Sequence, residues 1–181
     1  LMLAGVKRDE LVITQPLTFI ATCNAIAYLG AEPLFVDVDP KTLGMSDEKL
    51  GDFLQQETHR DENGQCIHTT SGRRIAACVP MHTFGHPTVV DRIATLCANF
   101  NIPLVEDAAE SVGSTYKGKH TGRFGKLGIF SFNGNKTITC GGGGIIVTDD
   151  EALGKMAKHL TTQAKIPHPW NFEHDHIGYN Y

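Results

Sequence analysis

Paired cysteines are missing from this chain. Its five, Cys23, Cys66, Cys78, Cys97 and Cys140, are scattered with no C-x-x-C pair, and an odd count leaves no complete disulfide framework. They read as reduced thiols, and a cytoplasmic location is expected. Long apolar runs are missing too. None approaches the roughly 20 residues of a membrane helix, and Leu1 to Val6 is too short for a secretory core, so no membrane partner is expected. The formal net charge of −4 and pI near 6.1 leave no basic stripe to neutralise phosphates, which argues against nucleic acid as a partner. Two nucleotide-binding motifs fail as well. Gly134-Asn-Lys136-Thr137 is like the end of a P-loop, but Asn135 interrupts it and Phe130 occupies the place of the earlier glycine. Gly141 to Gly144 fits neither register of G-x-G-x-x-G, because Ile146 or Val147 falls where the third glycine belongs.

What is present begins with Ile129-Phe-Ser-Phe-Asn-Gly-Asn-Lys136-Thr-Ile-Thr-Cys-Gly-Gly-Gly-Gly144, a hydrophobic strand ending in small polar residues, one lysine and a glycine run. Lys136 has no charged neighbour between Leu127 and Thr148. Apolar surroundings favour the neutral, nucleophilic form of an amine, although most lysines are solvated surface charges. The glycine run reads as a tight connection that needs unusual φ angles, as a place where backbone approaches a cofactor, or as both at once. Upstream, Asn101-Ile-Pro-Leu-Val-Glu-Asp107 is an apolar strand that runs into acid. Ligands of α/β sheets sit at the carboxyl ends of strands. Asp107 therefore either caps the next turn or holds a buried cationic ring nitrogen.

At 181 residues and 41% hydrophobic, one domain with one sizeable core is expected. Leu11-Val-Ile-Thr14 and Pro33-Leu-Phe-Val-Asp-Val-Asp39 read as buried strands, with a helix between them closed by Gly30. A helix from about Asp47 to Gln56 starts at Ser46. Asn63-Gly64 and Ser71-Gly72 mark a surface excursion or hairpin. Ile75-Ala-Ala-Cys-Val-Pro80 restores the core, and from the loop beyond it His82 is placed to touch cofactor or substrate. Val90, Ile93, Ala94 and Cys97 line one face of a helix that leads back to the Asp107 strand, making a strand-helix-strand crossover. The basic, glycine-rich Gly113 to Gly125 stretch reads as an exposed turn or as a loop facing an anionic substrate, with the turn favoured. In the tail, Pro167 to His176 carries His168, His174 and His176, but metal ligation needs more donors at defined spacing, so no metal is assigned.

Six segments together are similar to the DegT/StrS family of nucleotide-sugar aminotransferases: Thr14 to Thr22, Gly30 to Asp39, Pro80-Met-His-Thr-Phe-Gly85, Val105-Glu-Asp-Ala-Ala-Glu110, Ser131-Phe-Asn-Gly-Asn-Lys136 and Ile177-Gly-Tyr-Asn-Tyr181. Asp107, an acid or amide three residues on, Ser131, and a lysine five after it form a specific ordered series. The resemblance implies the aspartate aminotransferase fold. Residues 1–181 would be part of its pyridoxal phosphate (PLP)-binding large domain, a three-layer α/β/α unit with a mostly parallel central sheet. The family's N-terminal phosphate-binding segment and C-terminal small domain are expected outside this chain. Residues 164–181 would form an arm toward a partner subunit.

Site roles follow from the same resemblance. Lys136 would carry PLP covalently and shuttle the substrate proton, Asp107 would hold the ring nitrogen, and Phe19 would stack on the ring. Glu110, where many relatives have glutamine, would lie by the ring hydroxyl, and Ser131 would bind the phosphate. Asn180 would reach the phosphate of a neighbouring site in a homodimer. PLP chemistry requires such a lysine, a carboxylate on the pyridinium nitrogen and an anchored phosphate. The implied reaction moves an amino group from an amino acid donor, glutamate by expectation, to a nucleotide-linked keto-sugar for surface-polysaccharide or glycan biosynthesis. Asn133-Gly134-Asn135, His120-Thr121-Gly122 and Leu160 to His168 look closest to relatives that aminate UDP-linked 4-keto-6-deoxy-N-acetylhexosamines. Two alternatives stay open. One is a PLP-dependent sugar dehydratase on the same scaffold, whose known form replaces the lysine by histidine. The other is a non-catalytic binding or regulatory fragment.

Overall fold

The computed structural model describes residues 1–179. Five strands share one direction: β1 (Leu11–Thr14), β2 (Glu32–Phe35), β5 (Ile75–Val79), β6 (Val105–Asp107) and β9 (Leu127–Ser131). β1 pairs in parallel with β2 and β5, and β6 pairs in parallel with β9. Parallel bridges Cys78–Leu104 and Met81–Asp107 join the two halves, giving the order β2-β1-β5-β6-β9. β10 (Gly144–Val147) runs antiparallel to β9 at one edge. The mostly parallel sheet is the expected one.

Both faces of the sheet are covered, as parallel strands require. Leu11, Ile13, Ile75, Cys78 and Leu104 face a core shared with α2 (Asp47–Gln56) and α3 (Val90–Asn99), Ile75 and Cys78 together because the β1–β5 register shifts at a bulge between Leu11 and Val12. Val12, Val79, Val105 and Leu127 face the other way, onto Ile26 of α1 (Ile20–Ala27) and onto Ala4 and Val6 beside the short 3-10 turn Met2–Ala4. The three layers are α2/α3, sheet, and α1. Ser46 Oγ accepts the Lys49 N–H at 3.2 Å, capping α2 as a serine there should. Asp150 likewise caps α4 (Glu151–Thr161), accepting from Ala152 and Leu153.

The excursion after α2 is a hairpin of β3 (Thr58–Arg60) and β4 (Cys66–His68). The stretch read as an exposed turn is exposed only in part. A second hairpin, β7 (Thr115–Tyr116) and β8 (Lys119–His120), leads into Thr121 and Gly122, which are buried. The cause is an acid the sequence reading left without a role, Glu106, whose carboxylate draws the loop in. Residues 164–179 fold back on the end of α4, where Tyr179 N donates to Leu160 O at 2.7 Å and Gln163 N to Tyr179 O at 3.2 Å. Among the described residues no helix is long and apolar enough to cross a membrane.

Candidate active site

At the ends of three neighbouring strands stand pairs of residues two apart: Val79 and, just beyond β5, Met81, which bridges to Asp107; Val105 and Asp107; and Ile129 and Ser131. Together they floor a cavity of about 440 Å³ at the carboxyl ends of the strands. Its far wall is the first turn of α1, including Phe19 and Thr22, and Lys136 closes one side. The size lies within the roughly 300–1,000 Å³ of small-molecule sites. A hollow of about 520 Å³ between α2 and α3, lined by Asp47, Glu48, Asp52 and Arg92, touches none of these groups.

Asp107 is oriented rather than free. Its Oδ2 accepts from Thr22 Oγ1 at 2.6 Å, and its Oδ1 accepts from Ala109 N at 3.1 Å. A carboxylate has about four lone-pair sites, so capacity remains for a donor in the cavity. Thr22 is in turn fixed by Thr18, with 2.8 Å between the hydroxyls. Phe19, the residue before α1, lines the cavity and is 63% exposed.

Lys136 is the least exposed lysine of an ion pair here, at 12%, with Nζ 3.3 Å from Glu110 Oε1 and 5.8 Å from the centre of the Phe19 ring. The absence of charge around it is therefore confined to its own stretch of chain. Glu110 also accepts the backbone N–H of Phe84 at 3.0 Å. Phe84 has φ +53, a left-handed conformation that few phenylalanines adopt, and its side chain is 78% exposed. Ser131 Oγ lines the cavity and accepts from Asn133 N at 3.3 Å. The glycine run turns away after Lys136 with φ +90 at Gly141 and +129 at Gly143, so the tight-connection reading holds.

Phe19, Asp107, Ser131 and Lys136 thus border one cavity, and Glu110 joins them through Lys136. Asn180 lies outside the described residues. His82 is a correction. Its side chain is wholly buried and faces Glu106, with Nε2 3.0 Å from Oε2, so it touches nothing in the cavity. Thr22 escaped the sequence reading, although its place one helical turn beyond Phe19 was a usable signal. His159 escaped it too: it stands on α4, and its Nε2 lies 2.6 Å from Asp175 Oδ1, while His176 Nδ1 lies 2.9 Å from the same oxygen. These two imidazoles hold the exposed Asp175 carboxyl down at about 2. The cluster ties the tail to α4, about the sheet's edge rather than its cavity.

The donor set fits PLP at one observation above all: a shielded lysine and an oriented carboxylate with spare acceptor capacity face the same largely apolar cavity, beside a hydroxyl and an exposed aromatic ring. All of the chain, residues 1–181, matches the DegT/DnrJ/EryC1/StrS aminotransferase family. The chain belongs to it. Members are PLP-dependent aminotransferases. The GDP-perosamine synthase of Escherichia coli O157:H7 is 40% identical over 181 residues, covering 100% of this chain and 45% of the relative. EpsN of Bacillus subtilis (strain 168), provisionally described as a pyridoxal phosphate-dependent aminotransferase, is also 40% identical, across 100% of this chain and 44% of its own length. A DegT/DnrJ/EryC1/StrS aminotransferase from Brucella abortus superposes with a TM-score of 0.84 at 29% identity, covering 99% of this chain and 45% of that one. The chain spans less than half the length of each of these family members.

Proposed function

We propose that the protein containing this chain is a PLP-dependent aminotransferase that aminates a keto group on a nucleotide-linked sugar, with an amino acid, expected to be glutamate, as donor. The observation that carries this reading is the convergence of Lys136 and the Thr22-oriented Asp107 on one cavity. PLP supplies an electron sink for the carbon losing or gaining the amino group. Asp107 keeps a proton on the ring nitrogen, which Thr22 aids by holding the carboxylate in place. Phe19 covers one face of the ring and excludes water from it. Ser131 Oγ donates to the phosphate. Lys136 Nζ would hold the cofactor covalently and would serve as the acid-base group that moves a proton between the substrate carbon and the cofactor in each half-reaction. Glu110 Oε1 receives Lys136 Nζ, while its Oε2 holds the Phe84 turn at the rim. The lysine in this place favours transamination over the dehydratase alternative.

For the sugar, the resemblance of the Leu160 to His168 segment favours a UDP-linked 4-keto-6-deoxy-N-acetylhexosamine. The names of GDP-perosamine synthases at 40% and 34% identity favour a GDP-linked sugar instead. Full-length protein loaded with PLP and glutamate, offered UDP- and GDP-linked 4-keto-6-deoxy sugars in parallel, should form 2-oxoglutarate beyond one equivalent per site, with matching amino sugar, from one class and not the other. No amine product with either, under conditions where PLP is bound, would sink the reading. Borohydride reduction followed by peptide mapping should place the pyridoxyl group on Lys136.

A further inference from the structure

Glu106 and His82 form a buried ionisable pair that the proposed chemistry does not use. Both side chains are 0% exposed. The Glu106 carboxylate is fully engaged. Oε1 accepts the N–H groups of Phe124 at 2.5 Å and Gly125 at 2.7 Å, and Oε2 accepts that of Gly122 at 2.7 Å together with His82 Nε2 at 3.0 Å. Thr88 N donates to His82 Nδ1 at 3.3 Å, so the ring proton sits on Nε2 and points at Glu106. Four donors on one carboxylate, three of them from a single loop, is more than the packing of a surface turn requires.

The pair touches each strand that supplies the cavity. Glu106 immediately precedes Asp107 on β6, and by strand alternation its side chain leaves the opposite face of the sheet. His82 follows β5, and its backbone N–H donates to Asp107 O at 3.0 Å, while Asp107 N donates to Pro80 O at 3.0 Å. The loop from Gly122 to Gly125 leads into β9, which ends at Ser131. Glu106 sits in register with Gly128 of β9, and any Cβ at Gly128 would strike the backbone of Gly122. That glycine makes room for the loop to lie against the sheet, where Glu106 seizes its amides. The carboxylate thus clamps β5, β6 and β9 together at the level of Asp107.

We infer that Glu106 and His82 are positioning residues for Asp107, setting the carboxylate that the proposed function assigns to the cofactor's ring nitrogen. The inference rests on that assignment. It makes a claim that a merely structural role does not: loss of the clamp weakens the cofactor only through Asp107, so the two effects are not additive.

The test is a double-mutant cycle on the full-length protein, stripped of cofactor and titrated with PLP by absorbance. Asp107→Asn should weaken binding, and Glu106→Gln should weaken it roughly tenfold, the order found for outer groups that orient a ligand. The double variant should bind no more weakly than Asp107→Asn alone. Additive losses would overturn the inference and leave the proposed function standing. Unchanged binding in Asp107→Asn would remove the role of Asp107 itself, and the inference with it. Circular dichroism checks the fold of Glu106→Gln. Should that variant not fold, His82 carries the test. His82→Gln keeps an N–H near the Nε2 position and should bind PLP nearly as wild type, whereas His82→Asn loses that donor and should show the tenfold, non-additive loss. Equal binding in both His82 variants would overturn the inference.

Discussion

Thr22→Val tests the site with the smallest change, one hydroxyl for one methyl. The lost bond is a 2.6 Å donation to Asp107. Hydrogen bonds to charged groups contribute about 1.5–3 kcal/mol, so PLP affinity of the full-length protein should fall roughly ten- to hundredfold. The fold should tolerate it, because the side-chain volume is kept, and a PLP titration decides. Unchanged affinity would mean that the hydroxyl does not orient Asp107. Lys136→Ala removes the acid-base group, and turnover should drop by at least about 10²–10⁴ in single-turnover assays. Retained transamination would overturn the role given to Lys136. At this scale the sequence was readable where chemistry is local. Asp107 and Ser131 stand at the ends of apolar runs, and Lys136 follows one, so polarity along the chain exposes them. The spacing of Thr22 from Phe19 marks its side of α1, but its bond to Asp107 and the Glu110 contact to Lys136 join residues 85 and 26 positions apart, and no local pattern reports those pairings.

Among the elements, most strands and helices were legible from period and punctuation. Pro33 to Asp39, read as a buried strand, is instead the edge strand β2, which ends at Phe35 and is half-buried or exposed. The loop from Gly113 to Gly125 was not legible. Its composition is that of a solvated turn. A buried carboxylate overrides that tendency by accepting backbone N–H groups that would otherwise face water. The same carboxylate makes the element sensitive to acid. Burial alone raises the Glu106 carboxyl, but the bond from His82 and the N–H groups of Gly125 and Gly122 outweigh it and hold it below its ordinary 4.5. A folded-state value below the unfolded one stabilises the fold wherever the unfolded carboxyl is ionised, above about 4.5. That contribution is lost as pH falls through the lower, folded value. Glu106→Gln should therefore be less stable than wild type at neutral pH, with the gap closing in acid. Urea unfolding at a series of pH values measures it; parallel curves would show that Glu106 contributes no pH-linked stability.

For the whole molecule, the mostly parallel sheet followed from apolar strands alternating with helices, whereas the strand order and the antiparallel edge β10 depend on pairings between distant segments. The site's completion lies at this scale as well. Ser131 is a single hydroxyl for a group with three oxygens, and we propose that Asn180 of a second subunit supplies another donor to the phosphate. Phe19 at the cavity and Phe84, whose backbone N–H bonds to Glu110, are both exposed apolar groups, as residues covered in a dimer would be. A two-fold dimer exchanges the same patch in both directions, so each site would draw its lysine from one subunit and its asparagine from the other. Full-length Lys136→Ala and Asn180→Ala proteins should each be nearly inactive alone. When co-expressed and mixed at random, half of the dimers pair the two variants, and each of these holds one site with both residues intact. Activity should return to about a quarter of the wild-type level. A heterodimer isolated by two affinity tags that stays as inactive as its parents would place both residues in the same subunit's site, and the shared-site reading would fall.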